Sequence, residues 1–150
     1  MNRTQTTKKG NIMDTQTNIA TVKRHIAEVI NNSHSELIPE FYALDVEFKD
    51  PFTPSKQGKG LDAITGFMVA TKEAFPDFTF YVDHIFGEGD TVSWVGRATG
   101  THMKDFPGMP AKGNKIEIPM CQIMRFNEEG KIKMMWVFTD SMLLVQQAMA

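Results

Sequence analysis

FTFYVDHIFGEGDTVSWVGRATGTH, residues 78–102, decides how the rest of the chain reads. Two runs rich in β-branched and aromatic residues, Phe78–Phe86 and Thr91–His102, flank the turn Gly87-Glu88-Gly89-Asp90. Such runs, separated by a short glycine-rich turn, predict a β-hairpin. The arrangement recurs downstream, where Lys115–Phe126 and Lys131–Asp140 flank Asn127-Glu128-Glu129-Gly130. The stretch between the hairpins, Met103–Gly113, holds two prolines and two glycines and reads as a loop. Ser141–Met149 is expected to form a terminal helical turn or two.

Upstream of the hairpins the apolar period lengthens to that of a helix. Ile19, Val22, Ile26, Val29 and Ile30 share one face of a helix that Asn31-Asn32-Ser33 ends. Leu37, Ile38 and Phe41 mark a second short helix over about 35–42. Leu61, Ile64, Phe67, Met68 and Phe75 mark a third, Leu61–Phe75, which Pro76-Asp77 terminates. Val46–Asp50 alternates as a short strand before Pro51, and residues 52–60 read as a loop. Helices first and antiparallel strands afterwards place the chain in the α+β class.

The 150 residues fit one domain, expected over residues 18–150. Residues 1–17 are polar and without apolar period, and are expected to be a disordered tail. With 16 basic and 18 acidic residues there is no basic stripe, which sets nucleic acid aside as a partner. The single cysteine, Cys121, excludes an internal disulfide, and nothing near it resembles a metal site. No apolar run reaches the ~18 residues of a membrane helix, so no membrane partner is expected. The N-terminus lacks the apolar core of a secretory signal, so the expected compartment is the cytoplasm. Eleven Phe and eleven Met against two Trp and two Tyr supply soft material, suited to a core or to an adaptable pocket lining.

Strand side chains alternate between faces, so parity assigns polar residues to a side. Asp50 shares parity with Val46 and Phe48, and Asp140 with Ile132, Met134, Trp136 and Phe138. Gln122 aligns with Ile118, Met120 and Met124; His84 aligns with Phe80 and Val82, and His102 with Val92 and Trp94. Each has a bland reading. Asp50 precedes proline and suits a turn cap, Asp140 suits the N-cap of the terminal helix, Gln122 suits a hydrogen bond to a neighbouring backbone group, and either histidine suits a satisfied core. A bulge flips any parity beyond it. On the functional reading, Asp50 and Asp140 project into one apolar cavity with the Gln122 amide. Phe48, Trp136, Met120 and Phe67 wall it, and His102 offers a further contact. A carboxylate buried in such a cavity has a raised pKa, which suits proton transfer to and from carbon acids.

Several short pieces carry a resemblance. They are Phe75-Pro76-Asp77-Phe78, Gly87-Glu88-Gly89-Asp90-Thr91-Val92, Thr99-Gly100-Thr101-His102 and the Pro/Gly loop to Gly113. Arg125-Phe126, Gly130-Lys131-Ile132 and the spacing of Trp136 to Asp140 complete the set. In this order they resemble polyketide cyclases of the SnoaL type, from about Asn18 to the C-terminus. The segment Phe41-Tyr42-Ala43 to Asp50-Pro51 is similar to the part of ketosteroid isomerase that delivers its Asp base. Both belong to the cystatin-like, nuclear-transport-factor-2-like superfamily. The resemblance implies a cone-shaped α+β barrel with N-terminal helices packed on a curved, mainly antiparallel sheet. It implies ring closure by intramolecular aldol condensation with no metal or organic cofactor, and Asp140 as the general acid/base. The isomerase likeness instead makes Asp50 the base, and places the oxyanion-hole positions at about Gln122 and at His25 or Ile26.

Three functions follow as expectations. One is acid/base catalysis on a small lipophilic carbonyl compound, by cyclisation or enolisation. Another is a pocket that sequesters such a molecule without turnover. The third is a homodimeric interaction module using the outer sheet face, where Ser93, Arg97, Thr99, Glu117 and Arg125 favour a wet interface over a dry one.

Overall fold

The computed structural model describes residues 15–150. Helix α1 covers 15–25 and runs on as a π-helical stretch, Ile26–Asn31. Its apolar face is the buried one, with Val22, Ile26 and Val29 in the core and Ile19 and Ile30 packed against it. Residues 1–14 of the expected tail lie outside the described residues. Residues 15–17 are helical rather than tail, because Thr15 is buried and its hydroxyl donates to the Gly89 carbonyl at 2.6 Å.

A 3-10 turn, Ser35–Leu37, leads through α2 (Ile38–Phe41) into β1 (Tyr42–Lys49), which starts earlier than the alternation of Val46–Asp50 suggested. The loop read over 52–60 contains a short edge strand, β2 (Gly58–Lys59). A side chain at Gly58 would run into the Phe48 ring, so only glycine lets this strand lie against β1. Helix α3 (Leu61–Ala74) follows, then the predicted hairpins: β3 (Thr79–Glu88) with β4 (Thr91–Thr101), and β5 (Lys115–Phe126) with β6 (Ile132–Thr139). Helix α4 (Ser141–Ala148) closes the chain. Among the described residues no helix is long and apolar enough to cross a membrane.

The six strands form one curved sheet in the order β2-β1-β6-β5-β4-β3. Only β1 and β6 pair parallel; the other neighbours are antiparallel. The sheet is open, with β2 and β3 as its edges, and the class is α+β as expected. At the β3 edge the Asn31 side chain donates to the Phe80 carbonyl at 3.1 Å and accepts from the Phe80 N–H at 2.9 Å. Strands β4 and β5 pair without interruption from Thr91↔Arg125 to Thr101↔Lys115. Clean alternation therefore holds along both, and Trp94, Ala98, Ile118, Gln122 and Met124 all face the core.

Two bulges break the parity argument elsewhere. In β3 the register slips between Val82 and His84, leaving Asp83 extra, so His84 and Phe86 are exposed. In β6 Phe126 pairs with Ile132 but Arg125 pairs with Met134, leaving Lys133 extra. Beyond it Met135 and Val137 point inward, while Trp136 is half-buried and Phe138 is 55% exposed.

Candidate functional site

The concave face of the sheet, α3 and the end of α1 enclose a cavity of about 310 Å³. That is the lower end of the size range of small-molecule pockets. Its wall is mostly apolar, and phenylalanines 52, 67, 75, 78, 80 and 106 supply much of it. Phe106, from the loop after β4, stands edge-on to both Phe52 and Phe67, with ring centres 6.3 and 6.4 Å apart.

Asp50 follows the last residue of β1 and is 6% exposed on the cavity wall. Its side chain does what a turn-capping aspartate does, since Oδ1 accepts the Phe52 N–H at 2.8 Å. Its main-chain carbonyl meanwhile accepts from the Thr53 N–H and hydroxyl. The capping and cavity readings thus hold together. Burial raises the Asp50 carboxyl to about 6, only partly opposed by the Phe52 N–H.

Gln122 is 5% exposed on the same wall. The Trp94 indole Nε1 donates to Gln122 Oε1 at 3.0 Å. Trp94 is fully buried and carries no acceptor, so this bond fixes which end of the amide is the oxygen. Among the described residues the amide N–H groups have no partner and are left for whatever fills the cavity.

Of the other residues picked from the sequence, Met120 and Phe67 line the cavity. Phe48 is buried one layer back, its ring centre 6.3 Å from that of Phe67. His102 also lies behind the wall, stacked on Phe75 at 4.8 Å, and neither ring nitrogen has a hydrogen-bond partner among the described residues. Trp136 is corrected outright. The bulge at Lys133 turns it to the outer face, where the Arg125 guanidinium lies 5.8 Å from its ring. Asp140 is likewise not brought to the cavity. It is exposed beyond β6, and its Oδ1 accepts the Leu143 N–H at 2.9 Å as the N-cap of α4. The expected pair of carboxylates on one wall is therefore not formed.

Sequence reasoning missed three features of the site. Phe52 and Phe106 come from loops whose course periodicity cannot give. Behind Met135, the Tyr42 hydroxyl sits 2.9 Å from His25 Nε2 and 3.7 Å from the Met135 sulfur. Complete burial pushes His25 down to about 3, which keeps its imidazole neutral, and pushes the Tyr42 phenol upward. Lys72, on α3, also lines the cavity. It was legible as a lysine in the helix's apolar stripe, four residues after Met68 and three before Phe75. Among the described residues no group of three or more His, Cys, Asp or Glu is placed to hold a metal ion.

The profile of the SnoaL-like polyketide cyclase family matches residues 20–148. The chain belongs to the SnoaL-like polyketide cyclase family. Solved structures agree on the fold. A SnoaL-like protein from Jannaschia sp. CCS1 superposes with a TM-score of 0.82 at 22% identity, covering 91% of this chain and 94% of that one. IdmH of Streptomyces antibioticus, described as a polyketide cyclase candidate, gives 0.72 at 26%, covering 87% and 97%. AclR of Streptomyces galilaeus, described as a hydroxylase candidate, gives 0.74 at 21%, covering 89% and 96%. No curated protein matches this sequence significantly. Within the SnoaL-like fold, then, relatives are credited with different chemistries, and function has to be argued from the site.

Proposed function

We propose that this SnoaL-like protein performs acid/base chemistry on a small apolar carbonyl compound, with Asp50 as the base. The observation that carries this reading is one wall holding both a buried carboxyl raised to about 6 and an amide with its oxygen already engaged. Near neutral pH such a carboxyl is mostly ionised yet basic enough to take a proton from a carbon acid. The Asp50 carboxylate removes the proton on the carbon beside the carbonyl, and that electron pair moves to the carbonyl oxygen. A Gln122 N–H donates to the enolate oxygen as charge builds there. Return of the proton to another carbon gives isomerisation. Attack of the enolate carbon on a second carbonyl of the same molecule forms a carbon–carbon bond, and the resulting alkoxide takes the proton back from Asp50, closing a ring.

The test needs no natural substrate. 2-Acetonaphthone, a flat apolar methyl ketone, is incubated with the protein in D2O and loss of its methyl proton signal is followed by NMR. Acceleration that disappears in Asp50→Asn supports the reading; exchange at the buffer rate with bound ketone overturns it.

One observation favours binding without turnover as the second reading. With Asp140 outside, Asp50 is the one buried carboxylate of the wall among the described residues, and a single carboxyl that also caps a turn suits a pure binder as well as a catalyst. The β6 bulge also changes the case for a homodimer. Trp136 and Phe138 join Val95 and Ile123 on the outer face, with Arg97, Glu117 and Arg125 around them, which supports a second copy docking there. Sedimentation equilibrium of Phe138→Glu checks it, with a shift from dimer to monomer as the expected result and an unchanged mass as the contrary one.

A further inference from the structure

Lys72 places a charge where the amphipathic stripe of α3 calls for a hydrophobe. Its ammonium sits between two main-chain carbonyls, Ile30 O at 2.9 Å and Phe78 O at 2.8 Å, and both of those residues line the cavity. An ammonium has three N–H donors, so one remains uncommitted among the described residues. Among the described residues no carboxylate lies within 4.0 Å of it. Asp77 attracts it from further off, but both Asp77 oxygens are bonded to Thr101. A part-buried cation without a counter-ion carries a desolvation cost that a nearby anion removes. The downward shift of the Lys72 pKa, caused first by burial, reports the same imbalance.

Two hydroxyls share the cavity lining with Lys72. Ser33 and Ser35 also line the cavity and are exposed, and neither side chain bonds to another described residue. Glu73, exposed on the rim, is the opposing charge. Of the polar groups on the wall, Asp50 and Gln122 are buried, Thr71 and Lys72 are half-buried with the Thr71 hydroxyl committed to the Phe67 carbonyl, and Ser33, Ser35 and Glu73 are exposed.

We propose that Lys72, with the Ser33 and Ser35 hydroxyls, forms a subsite for a carboxylate on a ligand whose apolar body fills the phenylalanine-lined interior. The subsite deepens the functional reading above and rests on it. The substrate becomes a carbonyl compound with an acid at its far end, its carbonyl at Asp50 and Gln122 and its carboxylate at the entrance. The competing role for Lys72 is a clasp that merely ties α3 to Ile30 and Phe78.

The two roles separate in a binding experiment that involves no turnover. The neutral dye N-phenyl-1-naphthylamine is displaced by naphthalene-2-carboxylate or by the isosteric naphthalene-2-carboxamide, neither of which has an exchangeable α-proton. In the unaltered protein the carboxylate is expected to compete at least tenfold better than the amide. Lys72→Met should bring the two to equality, Lys72→Arg should keep the preference, and Glu73→Gln should strengthen carboxylate binding severalfold. Unchanged carboxamide affinity shows that a variant is still folded. If Lys72→Met does not fold, Lys72→Gln, which can still donate to the two carbonyls, takes its place. Equal competition in the unaltered protein, or a preference that survives loss of the charge, leaves Lys72 a clasp and overturns the subsite. The functional reading is then untouched, because it stands on Asp50-dependent exchange. A cavity that takes up neither dye nor competitor overturns both.

Discussion

Asp50 and Asp140 stand in the same local setting and end in opposite places. Each follows the last residue of a strand, and each accepts a main-chain N–H at the start of the next turn, from Phe52 at 2.8 Å or from Leu143 at 2.9 Å. Asp50 nevertheless lies on the wall of an apolar cavity, while Asp140 is exposed at the head of α4. The difference comes from what precedes them. Val46, Phe48 and Asp50 keep one parity and are all buried. In β6 the extra residue Lys133 exchanges the faces of everything after it. The chemistry of an aspartate at a strand end does not decide its role; the count of residues back to the last fixed pair does.

Three measurements bear on that contrast. The largest effect is expected in exchange of the ketone α-protons. Asp50→Asn should lower the rate by at least about 100-fold, the scale of a lost general base, while Asp140→Asn should stay within about twofold. The reverse outcome would restore Asp140 as the base and undo the comparison.

The next effect is on stability against pH. Burial raises the folded-state pKa of Asp50 from 3.8 to about 6, so the protonated form is the one folding favours. The penalty is absent below about pH 3.8, grows as pH rises towards 6 and is complete above it. By linkage it amounts to at most about 3 kcal/mol. Asp50→Asn should therefore be more stable than the unaltered protein in urea at pH 8 and equal to it at pH 3. A variant that is less stable at pH 8 would mean that the Phe52 bond to the ionised carboxylate outweighs desolvation. The smallest effect sharpens the other side. Removing the cap by Asp140→Ala should cost about 1 kcal/mol, and Asp140→Asn only a few tenths, because asparagine caps as well as aspartate. Urea midpoints resolve the two.

The fate of these two residues also marks where the sequence stops being legible. Apart from the start of α1, which already includes residues 15–17, the helices and both hairpins fall within a residue or two of where periodicity puts them, because their faces differ in polarity. In β5 Glu117, Pro119 and Arg125 alternate with buried Ile116, Ile118 and Met124, so its parity could be read and Gln122 was placed correctly. In β6 residues 134–138, Met-Met-Trp-Val-Phe, are apolar on both faces. Nothing in such a run shows which side is inward, and a bulge at Lys133 costs the pattern nothing visible. The site was legible where a regular strand or helix supplies it, at Asp50, Gln122, Met120 and Phe67. It was not where loops deliver the side chain, as with Phe52 and Phe106. Lys72 was written plainly in the helical stripe, but a lone lysine among Met68 and Phe75 reads as solvated until its two carbonyl partners are seen.

The asparagine at the end of the π-helical stretch has a bearing on how the protein behaves in a crowd. Among the described residues β3 is a border strand of the sheet, and such borders invite a stray strand to add on and begin a fibril. At Phe80 the Asn31 amide satisfies both the N–H and the carbonyl that such a strand would need. A neighbouring chain arriving edge-on meets a side chain already imitating it, and aggregation is denied a foothold where the border begins.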